Sequence, residues 1–209
     1  MKTTIHRGLI SFALSLLLSG ALGCTRSSTN PWDSQFSPPE TLDTDRVHLE
    51  PLAPRHAEMD LAAALSSREH LLRTLHWGTW PRADMTVDQN RRDLARHWKE
   101  FEERKGYAYT VLRPDRQKCL GCVYLSPAKD DHEGMELAYW VIEDELASDL
   151  DAHLLTSVIG WIRTKWPFET FVMPLHQDNQ RGVRLAENLG LNKSKKPGDK
   201  NETYVWRRN

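Results

Sequence analysis

Asn179-Gln180-Arg181-Gly182-Val183-Arg184-Leu185-Ala186-Glu187-Asn188-Leu189-Gly190-Leu191 is the stretch whose reading decides the fold. Residues 179–188 have the pattern of an amphipathic helix, and Gly190 stands where a helix end needs a left-handed residue. Apolar runs flank it. Phe168 to Leu175 reads as a strand before the helix, and Glu202 to Arg207 as a last strand after it.

Working back toward the N-terminus, Leu150, Leu154, Leu155, Val158 and Ile162 recur at helical spacing. They predict a helix from about 149 to Lys165, with Ser148 as its cap. Three strands precede it as an antiparallel meander: Gly106 to Arg113, Cys119 to Ser126 and Met135 to Ile142. A turn at Pro114-Asp115-Arg116 and an acidic loop from Lys129 to Gly134 join them. Thr86-Val87-Asp88-Gln89 has the form of a capping box and predicts a helix to about Arg104, with Val87, Leu94, Trp98 and Phe101 on one stripe. Upstream, Arg46 to Leu52 alternates as an opening strand. Pro54 starts a helical segment to Leu65, and Ser66 or Ser67 caps a shorter helix ending at Leu75. The element order is β-α-α-α-β-β-β-α-β-α-β, in one domain starting near Thr44.

Composition narrows the function. Net charge is −1 and the basic residues are dispersed, so there is no electrostatic footprint for nucleic acid. The eight Trp read as core or pocket walls. Cys119 and Cys122 are half of a zinc site with no second pair, and residues three apart on a strand point to opposite faces, so they read as structural thiols. His153 and His176 find no ligand partner at metal spacing, and no metal site is expected.

The first residues carry a different message. Lys2 and Arg7 precede an uncharged run from Leu9 to Leu18, the length of a signal-peptide core rather than a membrane span. Ser19-Gly20-Ala21-Leu22-Gly23-Cys24 resembles the bacterial lipobox, with Ala21 and Leu22 departing from its usual Leu and small residue. Residues 1–23 are thus expected to be removed and Cys24 to be lipidated. Residues 24–43, rich in Ser, Thr and Pro, read as a flexible tether. The expected location is the periplasmic side of a membrane, at the outer membrane in a Gram-negative host because Thr25 follows the Cys. If the signal is not used, the location is cytoplasmic.

The element order and the 179–191 stretch resemble the GNAT acyltransferase superfamily over nearly all of 44–209. The stretch is similar to the family's Asn-x-x-small segment ending in Glu-Lys-Leu-Gly-Phe. Leu120 to Leu125 resembles its third strand and Leu137 to Val141 its fourth. The resemblance implies an α/β (α+β) fold whose mixed, mostly antiparallel sheet is flanked by helices and splays between its fourth and fifth strands. It further implies acetyl-CoA as cosubstrate, a small-molecule, peptide or protein amine as acceptor, and no metal. Glu136 would be the base, with Glu133 as second choice, and Tyr139 would share the catalytic strand. Trp140, Val141, Ile142, Ser148 and Asn179 would hold the cofactor, the strand edge supplying an oxyanion N–H and pairing the pantetheine. Helices one and two with Trp77 to Pro81 would wall the acceptor.

One segment departs from the family. Its pyrophosphate loop is (Gln/Arg)-x-x-Gly-x-(Gly/Ala); here Glu143 to Asp151 carries five carboxylates and no Gly, Arg or Lys. Like charges at 4 Å cost about 1 kcal/mol in water and several times that at a protein surface. The periplasm also lacks acyl-CoA. These points keep open a second reading, a non-catalytic, membrane-anchored ligand-binding or interaction protein on the same fold that has lost the pyrophosphate loop. The basic loop 193–200 reads as solvated.

Overall fold

The computed structural model describes residues 30–128, 131–194 and 201–208, with only the backbone of 131–133 and 201. The signal segment, Cys24, the Glu133 side chain and positions 195–200 of the basic loop lie outside the described residues or atoms.

Eight strands form one sheet in the order β1-β2-β3-β4-β5-β6-β8-β7. They are β1 (Leu42–Asp43), β2 (His48–Pro51), β3 (Tyr107–Leu112), β4 (Cys119–Ala128), β5 (Asp131–Val141), β6 (Thr170–His176), β7 (Asn192–Ser194) and β8 (Asn201–Arg207). All neighbours are antiparallel except β5 and β6, which are parallel. Their pairing stops after Met135↔Phe171 and Glu136↔Val172, although both strands run on for several residues. The sheet therefore splays where the resemblance places the splay.

The helices are α1 (Ala57–Ser66), α2 (Arg68–Leu75), α3 (Val87–Glu102), α4 (Leu150–Lys165) and α5 (Gln180–Asn188). The capping box opens α3: the Thr86 hydroxyl accepts from Gln89 N at 3.2 Å and the Gln89 side chain accepts from Thr86 N at 2.9 Å. Its stripe holds, with Leu94 and Phe101 buried. The α4 stripe is buried at every expected position. Gly190 closes α5 at φ 74°.

Helices cover both faces of the sheet. On β3 and β4, Thr110 and Cys122 are cross-strand partners, and Cys122 reaches Asp60 of α1. Tyr109, on the opposite face by strand alternation, meets Trp161 of α4 edge-on at 5.1 Å.

Several expectations are corrected. The acidic loop is shorter than expected, because β5 begins at Asp131. Pro54–His56 is a 3-10 turn before α1. Glu143–Ser148 is also a 3-10 turn, and Asp149, at φ 56°, precedes α4 in the place expected for Ser148. Ser67 precedes α2 without capping it, because its hydroxyl accepts from Glu143 N at 2.8 Å. Cys119 and Cys122 do not face opposite ways. The register shifts between Val111 and Leu112, and this bulge turns Cys119 onto the Thr110 side, 3.6 Å from its hydroxyl. Both thiols are free and buried.

Residues 30–43 are packed rather than free. Trp32 stacks on Tyr107 at 5.4 Å, and Phe36 leans on Trp166. The Tyr107 hydroxyl donates to Pro31 O and the Tyr109 hydroxyl to Pro39 O at 2.6 Å. The low hydropathy of the segment hid two aromatic anchors and a row of carbonyls that satisfy buried tyrosines.

Candidate active site

Strand alternation gives β5 two working faces. Glu136 and Ala138 face the α1 and α3 side, opposite Ser126 and Tyr124 of β4. With Leu52, Asp60, Trp77, Trp80, Asn90, Asp93, Leu94, Arg96, His97 and Pro174 they line a cavity of about 350 Å³. Its wall is aromatic: Trp77 meets Tyr124 edge-on at 5.7 Å, and Trp80 leans on Trp77 and on Trp140. Trp77 is 40% exposed, a large apolar side chain left at the rim. Burial, aided by Arg96, holds the His97 imidazole below its usual pKa, and Glu100 opposes this.

The floor of this cavity is a buried polar cluster. Asn90 donates to Asp60 at 2.8 Å and to Ala57 O at 2.9 Å, and Cys122 Sγ donates to the other Asp60 oxygen at 3.3 Å. Burial pushes the Asp60 carboxyl up against those two hydrogen bonds, and it pushes the Cys122 thiol well up. Sequence reading singled out neither Asp60 nor Asn90, because their meeting depends on how α1 packs on α3.

Tyr139 lies on the other face of β5 from Glu136, so the two share no cavity. Burial raises its hydroxyl pKa. It lines two cavities of about 30 Å³ in the splay. One is bounded by His70, Leu71, Thr74, Trp140, Val141, Asp151, Asn179 and Arg181, the other by Thr74, Leu75, Leu137, Met173, Leu175 and His176. Trp77, Ala138 and Pro174 border both the second of these and the large cavity, so the two spaces share a border there. The wall of the large cavity is α1 and α3 with Trp77 and Trp80, so of the two helices expected beside an acceptor only α1 lines it, whereas α2 lies across the splay.

Backbone direction sorts the remaining strand residues. Ile142 N donates to Leu120 O on β4 at 2.9 Å, so Trp140 and Ile142 turn their backbone groups toward β4. Tyr139 and Val141, of the other parity, turn theirs toward the splay. Asn179 commits its side-chain oxygen to Gly182 N at 2.9 Å as the cap of α5. Ser148 receives Arg46 on its carbonyl at 2.8 Å and on its hydroxyl at 3.0 Å.

The acidic segment is not unopposed. Arg181 of α5 forks onto Asp151 at 2.5 and 2.7 Å and reaches Asp149 at 2.8 Å, and Arg73 lies 3.6 Å from Glu143. With Arg46, three arginines from separate elements converge on it. Asp151 is 3% exposed, and this fork is what makes its burial tolerable.

The structure also joins residues that the sequence holds far apart. His76 Nε2 lies 2.9 Å from Asp178 Oδ2, His176 Nδ1 lies 3.3 Å from the same oxygen, and the two imidazoles stack at 3.4 Å.

Comparison with known proteins agrees with this geometry. The profile of the family described as acetyltransferase (GNAT) domain matches residues 46–192, and the chain belongs to that family. No curated protein matches the sequence. Among solved structures, a ribosomal alpha-N-protein acetyltransferase (RimL) in complex with coenzyme A superposes with a TM-score of 0.66 at 14% identity, over 81% of this chain and 97% of that one. A ribosomal-protein alanine acetyltransferase of Vibrio fischeri gives 0.66 at 12% identity, over 80% and 94%. An acetyltransferase of Salmonella typhimurium that modifies the N-terminal serine of a ribosomal protein gives 0.65 at 12%, over 81% and 100%. At these identities the likeness is one of fold.

Proposed function

We propose that this protein is an N-acyltransferase that moves an acetyl or related acyl group from acyl-CoA to an amine held in the 350 Å³ cavity. The observation that carries this reading is the shared border of the two spaces at Trp77, Ala138 and Pro174. An acyl group entering from the splay would meet an acceptor standing beside Glu136. Among the solved structures of this fold, the RimL acetyltransferase is in complex with coenzyme A and the microcin self-immunity enzyme MccE with acetyl-CoA and AMP.

In this reaction Glu136 takes the proton from the attacking amine, directly or through water. The Tyr139 and Val141 N–H groups, turned to the splay, pair the pantetheine and stabilise the oxyanion as the C–N bond forms. The C–S bond then breaks and the thiolate of CoA leaves. The cavity suits a cationic amine, since Glu136 and Asp93 supply negative charge, the lining Arg96 is paired with Glu100 at 2.8 Å, and Trp77, Trp80 and Tyr124 supply ring faces. Arg181 and Arg46 are the cations a pyrophosphate would meet, in exchange for Asp149 and the Ser148 carbonyl.

Titration of acetyl-CoA into the purified full chain, followed by turnover with primary amines and with Glu136→Gln alongside, tests the reading. Saturable micromolar binding with turnover lost in the variant is the expected result. Absence of binding at millimolar acetyl-CoA overturns it and favours the second reading, for which the Arg181 ion pairs across the pyrophosphate position speak. The same proposal keeps Cys24 as a lipid anchor. Replacing it in Cys24→Ser should move the protein out of the membrane fraction, and an unchanged distribution removes the anchor.

A further inference from the structure

We propose that His76, His176 and Asp178 form a three-ligand site for a divalent cation of the zinc class, seated at the mouth of the β5–β6 splay. Their three ligand atoms lie within 4.8 Å of one another. A tetrahedral zinc with bonds of 2.0–2.2 Å sets its ligand atoms about 3.3 Å apart. The two separations to Asp178 Oδ2, 2.9 and 3.3 Å, sit near that edge length. Stacked at 3.4 Å, the two rings do not yet aim their nitrogens at one point, so a cation must turn the His76 ring out of the stack, for which the 40% exposure of its side chain leaves room.

His176 Nδ1 lies 3.2 Å from Asp178 N and 3.3 Å from Asp178 Oδ2. Its single lone pair can serve the N–H or a cation but not both, so a cation on this nitrogen takes the place of the Asp178 N–H. The donor set of two imidazoles and one carboxylate suits zinc. With the Asp178 side chain 50% exposed, the fourth position faces solvent, the arrangement of a site that keeps one coordination place open.

The ligands come from two elements with little else in common. His76 ends α2 in the left-handed conformation at φ 54°, whereas His176 ends β6 and Asp178 directly precedes the α5 cap. A cation here fastens α2 to the β6–α5 corner across the cavity lined by Thr74, Leu75, Leu175 and His176. The inference stands on these three residues and does not depend on acyl transfer.

The test is titration of the untagged, chelator-treated full chain with Zn2+ alone, and with Co2+ as an optical reporter. One equivalent should bind with micromolar or tighter affinity, give the intense ligand-field absorption of four-coordinate Co2+ and raise Tm. His76→Asn, His176→Gln and Asp178→Asn should each weaken binding by about tenfold or more, a loss of the size that metal-site mutations produce. Asn is chosen at 76 because it tolerates the left-handed backbone. Unfolding curves in chelator that match the native chain's show that ligands, not fold, were lost. If a variant unfolds instead, the native Co2+ spectrum decides, and a weak octahedral spectrum overturns the site. It is equally overturned by no zinc binding to the native chain, or by native affinity in the His76→Asn/His176→Gln double variant.

Discussion

In the proposed reaction the base must reach the amine from a wall that also positions the acyl donor, and Glu136 is the carboxylate offered for it, two residues along β5 from Ala138 on the shared border. Replacing its carboxylate while keeping its shape, in Glu136→Gln, should lower kcat on the order of 10²–10⁴-fold. The Kd for acetyl-CoA should stay near the native value, because the proposed reaction gives the cofactor edge to Tyr139 and Val141. A fall in affinity with kcat intact would instead make Glu136 a binding residue. The strand that carries Glu136 was legible in the sequence because alternation on one strand is local. The imidazole pair was not: His76 and Asp178 are 102 positions apart, and no spacing rule reaches that far. Asp60 and Asn90 escaped notice for the same reason.

At the scale of elements, long periodic segments could be read and short or irregular ones could not. The capping box of α3 and the stripe of α4 follow from contacts within one or two turns, so the sequence carries them whole. β1 and β7, of two and three residues, have no period to detect and exist only because a neighbour's edge accepts them. Residues 31–39 belong with these. Trp32 shields Tyr107 and Phe168, and losing its half-buried ring in Trp32→Ala should cost about 2 kcal/mol, below the 3–5 kcal/mol of a fully buried Trp. A fragment beginning at Thr44 should accordingly melt about 5 °C or more below one beginning at Asn30. Equal melting temperatures would return the segment to the status of a tether.

For the whole molecule, the join between the β2 edge and the first helices responds to acid. Burial alone would raise the Glu50 carboxyl, but hydrogen bonds from Arg55, His56 and His48 outweigh it and hold the pKa down from 4.5 to about 2. A carboxylate depressed on folding contributes stability that is present above its unfolded value and lost as pH falls through the folded one. Stability should therefore drop between about pH 4.5 and pH 2, by at most about 3 kcal/mol from this residue, since its side chain keeps some contact with water. Denaturant curves of the native chain and Glu50→Gln at pH 6 and pH 3 check this. The variant should be the weaker at pH 6, and the gap should narrow toward acid. A gap that widens as pH falls would contradict the assignment. No described helix is long and apolar enough to cross a membrane.

By itself the sequence determined the order of the longer elements, the capping box of α3 and the glycine end of α5, the buried stripes and the family, because each rests on residues within a few positions of one another or on one contiguous stretch. Tertiary structure decided how the site is partitioned: Glu136 and Tyr139 on opposite faces of β5, α2 across the splay, three arginines on the acidic segment and two histidines on one carboxylate. Those relations depend on how strand faces meet the helices and on packing between distant elements. Chain propensity cannot encode them before the elements meet.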